Sequence, residues 1–225
     1  ASVCDCWRVE WVVREPGSPV DSVAPGAAGA RCCPGPVDAE GLTVAAGLHT
    51  APPARLDYVT PSHQFPLGSG MSASRRLALL TWARRNGAWI VEDDYDSEFR
   101  YGGRPIPCLQ GLDAEQERSA RVLYVGTFSK TLSPALRIGY LIVPPDLLEP
   151  FRVALAVASG NSPTLDQGVL ADFIGEGHYA RHVRHIRALC AERQQALLAS
   201  ARRDLSGLMD LAPAAAALPL GAWPP

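Results

Sequence analysis

The feature that most constrains this chain is a set of short, unbroken apolar runs that end on chemistry a buried strand does not normally carry. "AWIVEDDYDSEF", residues 88–99, finishes on a cluster of acids and a tyrosine. "VLYVGTFSKTLSPALRIGY", residues 122–140, turns through two hydroxyls to a lone lysine, then reaches an arginine seven residues later. Runs of Val, Ile, Leu and Tyr without polar alternation predict strands covered on both faces. Such strands are expected near Val9–Val13, Ala30–Cys33, Leu56–Thr60, Trp89–Glu92, Val122–Gly126 and Ile138–Val143.

Helical patterns separate the runs. "SASRRLALLTWARRNG" offers Ser72 or Ser74 as a cap, places Leu77 and Leu80 on one ridge beside Leu79 and Ala83, and stops at Asn86–Gly87. "PPDLLEPFRVALAVASG" predicts a helix with Pro150 in its first turn or at a break; residues 164–174 and 179–204 predict two more, the second long and basic. Strands alternating with helices imply an α/β fold, a mostly parallel sheet with helices on both faces. The segments "EPGSPVDSVAPGAAGA" and "APAAAALPLGAWPP" are too rich in Pro, Gly and Ala to build a packed sheet.

With 225 residues, 47% of them hydrophobic and 20% charged, a substantial core is available. A net charge of −2 gives no electrostatic reason to expect nucleic acid or an anionic membrane as partner. No apolar run approaches the roughly 18–20 residues of a spanning helix, and the N-terminus does not read as a signal peptide. The expected location is cytoplasmic. The six cysteines (Cys4 and Cys6, Cys32 and Cys33, Cys108, Cys190) form no CxxC pair, so reduced thiols are expected rather than disulfides or zinc.

In open α/β sheets, ligands sit beyond the carboxyl ends of strands. A lysine at a desolvated strand end loses affinity for its proton and becomes an amine nucleophile toward carbonyls. Around Lys130 stand Thr127, Ser129 and Arg137, two hydroxyls and a guanidinium suited to a phosphate. A carboxylate at a neighbouring strand end, Asp93 or Asp94, suits a protonated ring nitrogen, and Tyr95 suits a phenolic oxygen. Aldehyde, phosphate, ring nitrogen and phenolic oxygen together describe pyridoxal 5′-phosphate, PLP. The acidic run fails the EF-hand template, with Phe99 where glycine is required. "PLGSG" lacks the Gly-Lys-Ser/Thr of a P-loop. His178, His182 and His185 share one helix face, yet arginines lie between them and no carboxylate is close, so no metal site is expected.

"TPSHQFP", "EDDYDSEFRY" and "GTFSKTLSPALRIGY" together resemble the aminotransferase-like domain of MocR-type transcriptional regulators, the GabR-like members of the GntR family. The resemblance runs from about Arg8 to about Asp204 and is dense from Val59 to Pro144. It implies the large domain of the PLP-dependent transferase fold type I, incomplete, over residues 1–175. Residues 176–225 would be a connecting helix and the truncated start of a small domain. Carried over residue by residue, it makes Lys130 the Schiff-base lysine, Asp93 the partner of the pyridinium nitrogen and Tyr95 the partner of the phenolic oxygen. Thr127 and Arg137 would bind the phosphate, with Ser129 a weaker phosphate ligand and His63 lining the site. The implied partners are a small-molecule amine or amino acid and, for a complete domain, a second copy in a homodimer.

The chain departs from related aminotransferases in having Phe65-Pro66-Leu67-Gly68 where Asn-Pro-x-Gly is usual, a change common in MocR-type domains. Ser18 stands where an aromatic is usual, and Pro25 and Gly26 interrupt a helix at a cost of about 3 kcal/mol for an interior proline. Neither a DNA-binding winged helix nor the small-domain arginine that grips a substrate carboxylate is recognisable. The expectation is a fragment that senses an amine, with a transaminase or a non-functional remnant as the rival readings.

Overall fold

The computed structural model describes residues 10–15, 31–44, 54–64, 67–101, 106–114, 120–160, 163–206, 208, 210–211 and 222–223. The chain forms two compact units, one of Ala1–Tyr95 with Arg104–Val125, the other of Asp96–Gly103 with Gly126–Pro225. The interruptions around Ser18, Pro25 and Gly26 and the Phe65-Pro66 pair lie outside the described residues, as do Cys4 and Cys6. The four described cysteines, Cys32, Cys33, Cys108 and Cys190, form no disulfide among the described residues.

The first unit carries β1 (Glu10–Glu15), β2 (Arg31–Asp38), β3 (Gly41–Leu42), β4 (Leu56–Val59), β5 (Trp89–Asp94) and the start of β6 (Val122–Thr127), ordered β3-β2-β1-β4-β5-β6. β1 pairs in parallel with β2 and β4, and β4 with β5, while the two-residue β3 runs antiparallel against β2. This matches the mostly parallel sheet expected. β3 and the six-residue helix α2 (Leu109–Ala114) escape prediction because neither is long enough to show a period.

Helix α1 (Ala73–Asn86) begins where Ser72 accepts the Arg75 N–H and ends where Gly87 turns left-handed, returning its N–H to the Ala83 carbonyl. Leu79, Leu80 and Ala83 face the core with Leu42, Val44, Val59, Met71, Ile90, Leu109 and Val122. Burying each leucine contributes about 1.5–3 kcal/mol. Leu77, expected on the buried ridge, is exposed; Arg76 takes the inward position instead.

Arg76 is 2% exposed and fully used. Its Nε donates to the Met71 carbonyl, Nη1 to the Pro107 carbonyl and Nη2 to the Pro61 carbonyl, at 3.1, 3.0 and 2.7 Å. Nη1 also lies 3.9 Å from the Glu92 carboxylate, itself wholly buried. Glu92 accepts the N–H groups of Leu109 and Gln110, both at 2.8 Å, and so caps the first turn of α2. Burial pushes the Glu92 carboxyl above its ordinary value, while those N–H groups and Arg76 pull it back. Asp113, at the other end of α2, accepts from Arg84 of α1 and from the backbone N–H groups of Arg121 and Val122 where β6 begins.

The second unit carries the end of β6, its neighbour β7 (Gly139–Ile142), and helices α3 (Leu148–Ser159), α4 (Thr164–Gly175) and α5 (His178–Asp204). Pro150 sits in the first turn of α3, where a missing N–H costs nothing. The C-terminal segment expected to lack a sheet contributes one strand of a two-residue antiparallel pair, β8 (Asp210–Leu211) with β9 (Ala222–Trp223). Many apolar side chains of α3, α4 and β7 are exposed, among them Val157, Leu165 and Leu141. No helix of the described residues is long and apolar enough to cross a membrane.

Replacing Arg76 by alanine strands Glu92 in the core, so urea unfolding should show a loss of about 3–5 kcal/mol. A loss below about 1 kcal/mol would show the pair to be dispensable.

Candidate functional site

The residues singled out from the sequence fall into two clusters, one in each unit. In the first unit, strand alternation turns the two candidate carboxylates, Asp93 and Asp94, to opposite faces of the sheet. Ile90, Glu92 and Asp94 alternate inward along β5 and are buried, whereas Val91 and Asp93 point to the opposite face and are half-buried. Asp94 accepts the Tyr124 hydroxyl at 2.8 Å. Asp93 instead accepts the hydroxyl of Tyr58, from the adjacent β4.

Past the end of β5, Tyr95 meets His63. The tyrosine hydroxyl donates to the His63 carbonyl at 3.0 Å and lies 3.1 Å from the ring Nδ1. His63 is 3% exposed and stands in a tight turn. That turn is closed by Gly68 N–H to the Gln64 carbonyl, Gln64 N–H to the Ser69 carbonyl and Leu67 N–H to the Gln64 side chain. His63, Tyr95 and Asp93 thus each have a hydrogen-bond partner within the unit, with Tyr58 as a contributor the sequence reading missed. Its position three residues before "PSHQFP" gave no signal, since its partner lies 35 residues away.

In the second unit, β6 ends on Thr127 and a turn of residues 128–132 presents Lys130. The Ser129 N–H donates to Thr127 Oγ1 at 3.1 Å, and the two hydroxyls meet at 3.0 Å. Phe128 N–H donates to the Ile138 carbonyl and Leu132 N–H to the Phe128 carbonyl, which closes the turn. The first turns of α5 hold it from outside. Tyr179 donates to Thr131 Oγ1 at 3.2 Å, His182 Nε2 lies 3.0 Å from the Thr131 carbonyl, and the Tyr179 ring packs edge-on to Phe128. His182, one of three histidines weighed for a metal, therefore anchors the lysine turn. The described residues contain no group of His, Cys, Asp or Glu able to hold a metal ion.

Lys130 and Arg137 are both exposed and meet no partner among the described residues. The desolvation that the sequence suggested for Lys130 is not supplied by its own unit. Arg137 has φ 51°, the only non-glycine residue with positive φ among those described. It closes the short 3₁₀ turn Pro134–Leu136, which Ser133 caps. Such backbone strain costs about 1–3 kcal/mol and persists where the surroundings enforce it. Lys130 is also the only lysine among the chain's 21 lysines and arginines.

The glycines of "VGTF" and "RIGY" have a steric reason. A Cβ on Gly126 would overlap the Tyr140 ring, and a Cβ on Gly139 would come within 3.0 Å of the Gly126 carbonyl. Tyr140 also packs against Phe128, with ring centroids 5.4 Å apart.

No protein-family model matches the chain. It is 46% identical over 201 residues to the "probable rhizopine catabolism regulatory protein MocR" of Rhizobium meliloti, covering 89% of this chain and 38% of that protein. It is 31% identical over 151 residues to the 2-aminoadipate transaminase of Thermus thermophilus, covering 67% of this chain and 38% of that enzyme. Among solved structures, LysN, the α-aminoadipate aminotransferase of Thermus thermophilus crystallised with N-(5′-phosphopyridoxyl)-L-leucine, superposes with TM-score 0.81 and 25% identity. That superposition covers 93% of this chain and 54% of LysN. The chain thus spans well under half the length of these curated relatives.

The chain is an aminotransferase-like domain with the fold of the PLP-dependent transferases of type I, as the sequence implied. Within that class it resembles the domain carried by MocR-type regulators of the GntR family.

Substituting Gly126 by alanine should destabilise the protein by about 1–3 kcal/mol through overpacking against Tyr140. Tyr140→Ala in the same background should recover most of that loss in thermal unfolding. An alanine at 126 tolerated with Tyr140 in place would contradict the close approach.

Proposed function

We propose that this chain binds PLP through Lys130 and serves as the amine- or amino-acid-sensing module of a MocR-type regulator. The observation that carries the reading is the lysine itself. Every other long basic side chain is arginine, yet only a primary amine forms a bond with an aldehyde, and a guanidinium cannot substitute.

The donor set fits the cofactor's chemistry. Arg137 offers a charge that does not deprotonate, and the Thr127 and Ser129 hydroxyls complete a phosphate-binding group beside it in sequence. Asp93, oriented by Tyr58, is the carboxylate for the ring nitrogen, where its charge keeps a proton in place. Tyr95, fixed by His63, is the phenol nearest in role to the cofactor's ring oxygen. Lys130 Nζ is the group able to hold or move a proton once an incoming amine takes its place. When bound, PLP supplies an aldehyde that captures amines and a ring that accepts electrons.

A transaminase is the second reading, favoured by the identity to the 2-aminoadipate enzyme. In a sensor, amino acids change the cofactor spectrum without yielding a 2-oxo acid; in a transaminase, a 2-oxo acid accumulates.

Purified protein incubated with PLP should develop a visible absorption band. Borohydride reduction followed by peptide mapping should leave a pyridoxyl group on Lys130. Lys130→Arg should lose both signals while staying folded. A band of equal strength in that variant would overturn the assignment.

A further inference from the structure

The second unit holds a recess of about 390 Å³ lined by Arg100, Tyr101, Arg184, Arg187, Ala188 and Ala191. Its construction is unusual for a chain of net charge −2, because three guanidiniums face one cavity and none of its lining residues is acidic. Arg184, Arg187, Ala188 and Ala191 recur at helical spacing along α5, so the two alanines leave room beneath the two arginines. Arg187 Nη2 donates to the Arg100 backbone carbonyl at 2.9 Å, which fixes one guanidinium and the segment opposite it. Arg100 Nε is buried without a hydrogen-bond acceptor, and Arg184 pairs with nothing among the described residues.

We propose that this recess binds a small oxyanion, a phosphate or dicarboxylate carried by a metabolite. Cations gathered around one recess repel one another, and a bound anion both lowers that cost and supplies acceptors for the unused N–H groups. Guanidiniums suit planar, two-pronged contact with phosphate and carboxylate oxygens. Tyr101 lines the recess as a neutral phenol. Burial, with Cys190 and Asp96 nearby, pushes its phenol up to about 12, so the hydroxyl keeps its proton at neutral pH. Asp96 is the acidic group that reaches Tyr101, and it does not line the recess. The volume admits a small metabolite rather than a macromolecular segment.

The test is made in the full chain carrying Arg137→Gln, so that the residue assigned to the PLP phosphate contributes nothing. Isothermal titration with inorganic phosphate and, separately, with succinate is run at constant ionic strength against chloride. At least one anion should bind, and Arg184→Gln or Arg100→Gln should weaken it about tenfold, the loss of one charge-assisted hydrogen bond. Tighter phosphate would identify a phosphorylated ligand, and tighter succinate a dicarboxylate. Absence of binding by both anions, or binding unchanged in both arginine variants, would overturn the proposal and leave the PLP reading untouched.

Discussion

A wholly buried carboxylate organises the first unit. Glu92 cannot remain in an apolar core without compensation, and it receives Arg76 from α1 and two N–H groups from the first turn of α2. Each of those partners is committed elsewhere. Arg76 clamps the carbonyls of Pro61, Met71 and Pro107, so a strand, two loops and two helices converge on one ion pair. Strand period does the rest. With Glu92 turned inward, Asp94 must follow it and Asp93 must face the other way, since a slip of one residue would invert every side chain. The outward carboxylate is thus placed by the requirements of the buried one.

The second unit applies the same economy to its lysine. The groups that define the turn are backbone and aromatic: Gly126 beneath the Tyr140 ring, Phe128 against Tyr140 and Tyr179, and Thr131 held by Tyr179 and His182. Thr131 is buried, while Lys130 beside it stays exposed.

The sequence shows the α/β class, six strands within a few residues and four helices, because apolar runs and caps such as Ser72 and Gly87 act locally. What stayed hidden acts at a distance or in too few residues. Arg76 reads as a surface residue by type, and only the fold reveals an acid across the core that needs it. Tyr58 and Tyr124 meet Asp93 and Asp94 from 35 and 30 residues away. His182 had no assigned role from its own helix because its partner, the Thr131 carbonyl, lies 51 residues earlier. For the candidate site, residue types and motif spacing pointed to Lys130, Thr127, Ser129, Arg137, Tyr95 and either Asp93 or Asp94, while the choice of Asp93 and the addition of His63 came from the family resemblance. Their supporting contacts could not be read from any local window.

We propose that one carboxylate from β5 and one amine from the turn after β6 serve a single pyridine ring. The direct measurement is ¹⁵N NMR of the protein loaded with PLP labelled at the ring nitrogen. A protonated nitrogen at neutral pH that becomes unprotonated in Asp93→Asn, with the cofactor still attached to Lys130, is the predicted result. A ring nitrogen indifferent to that substitution would contradict it.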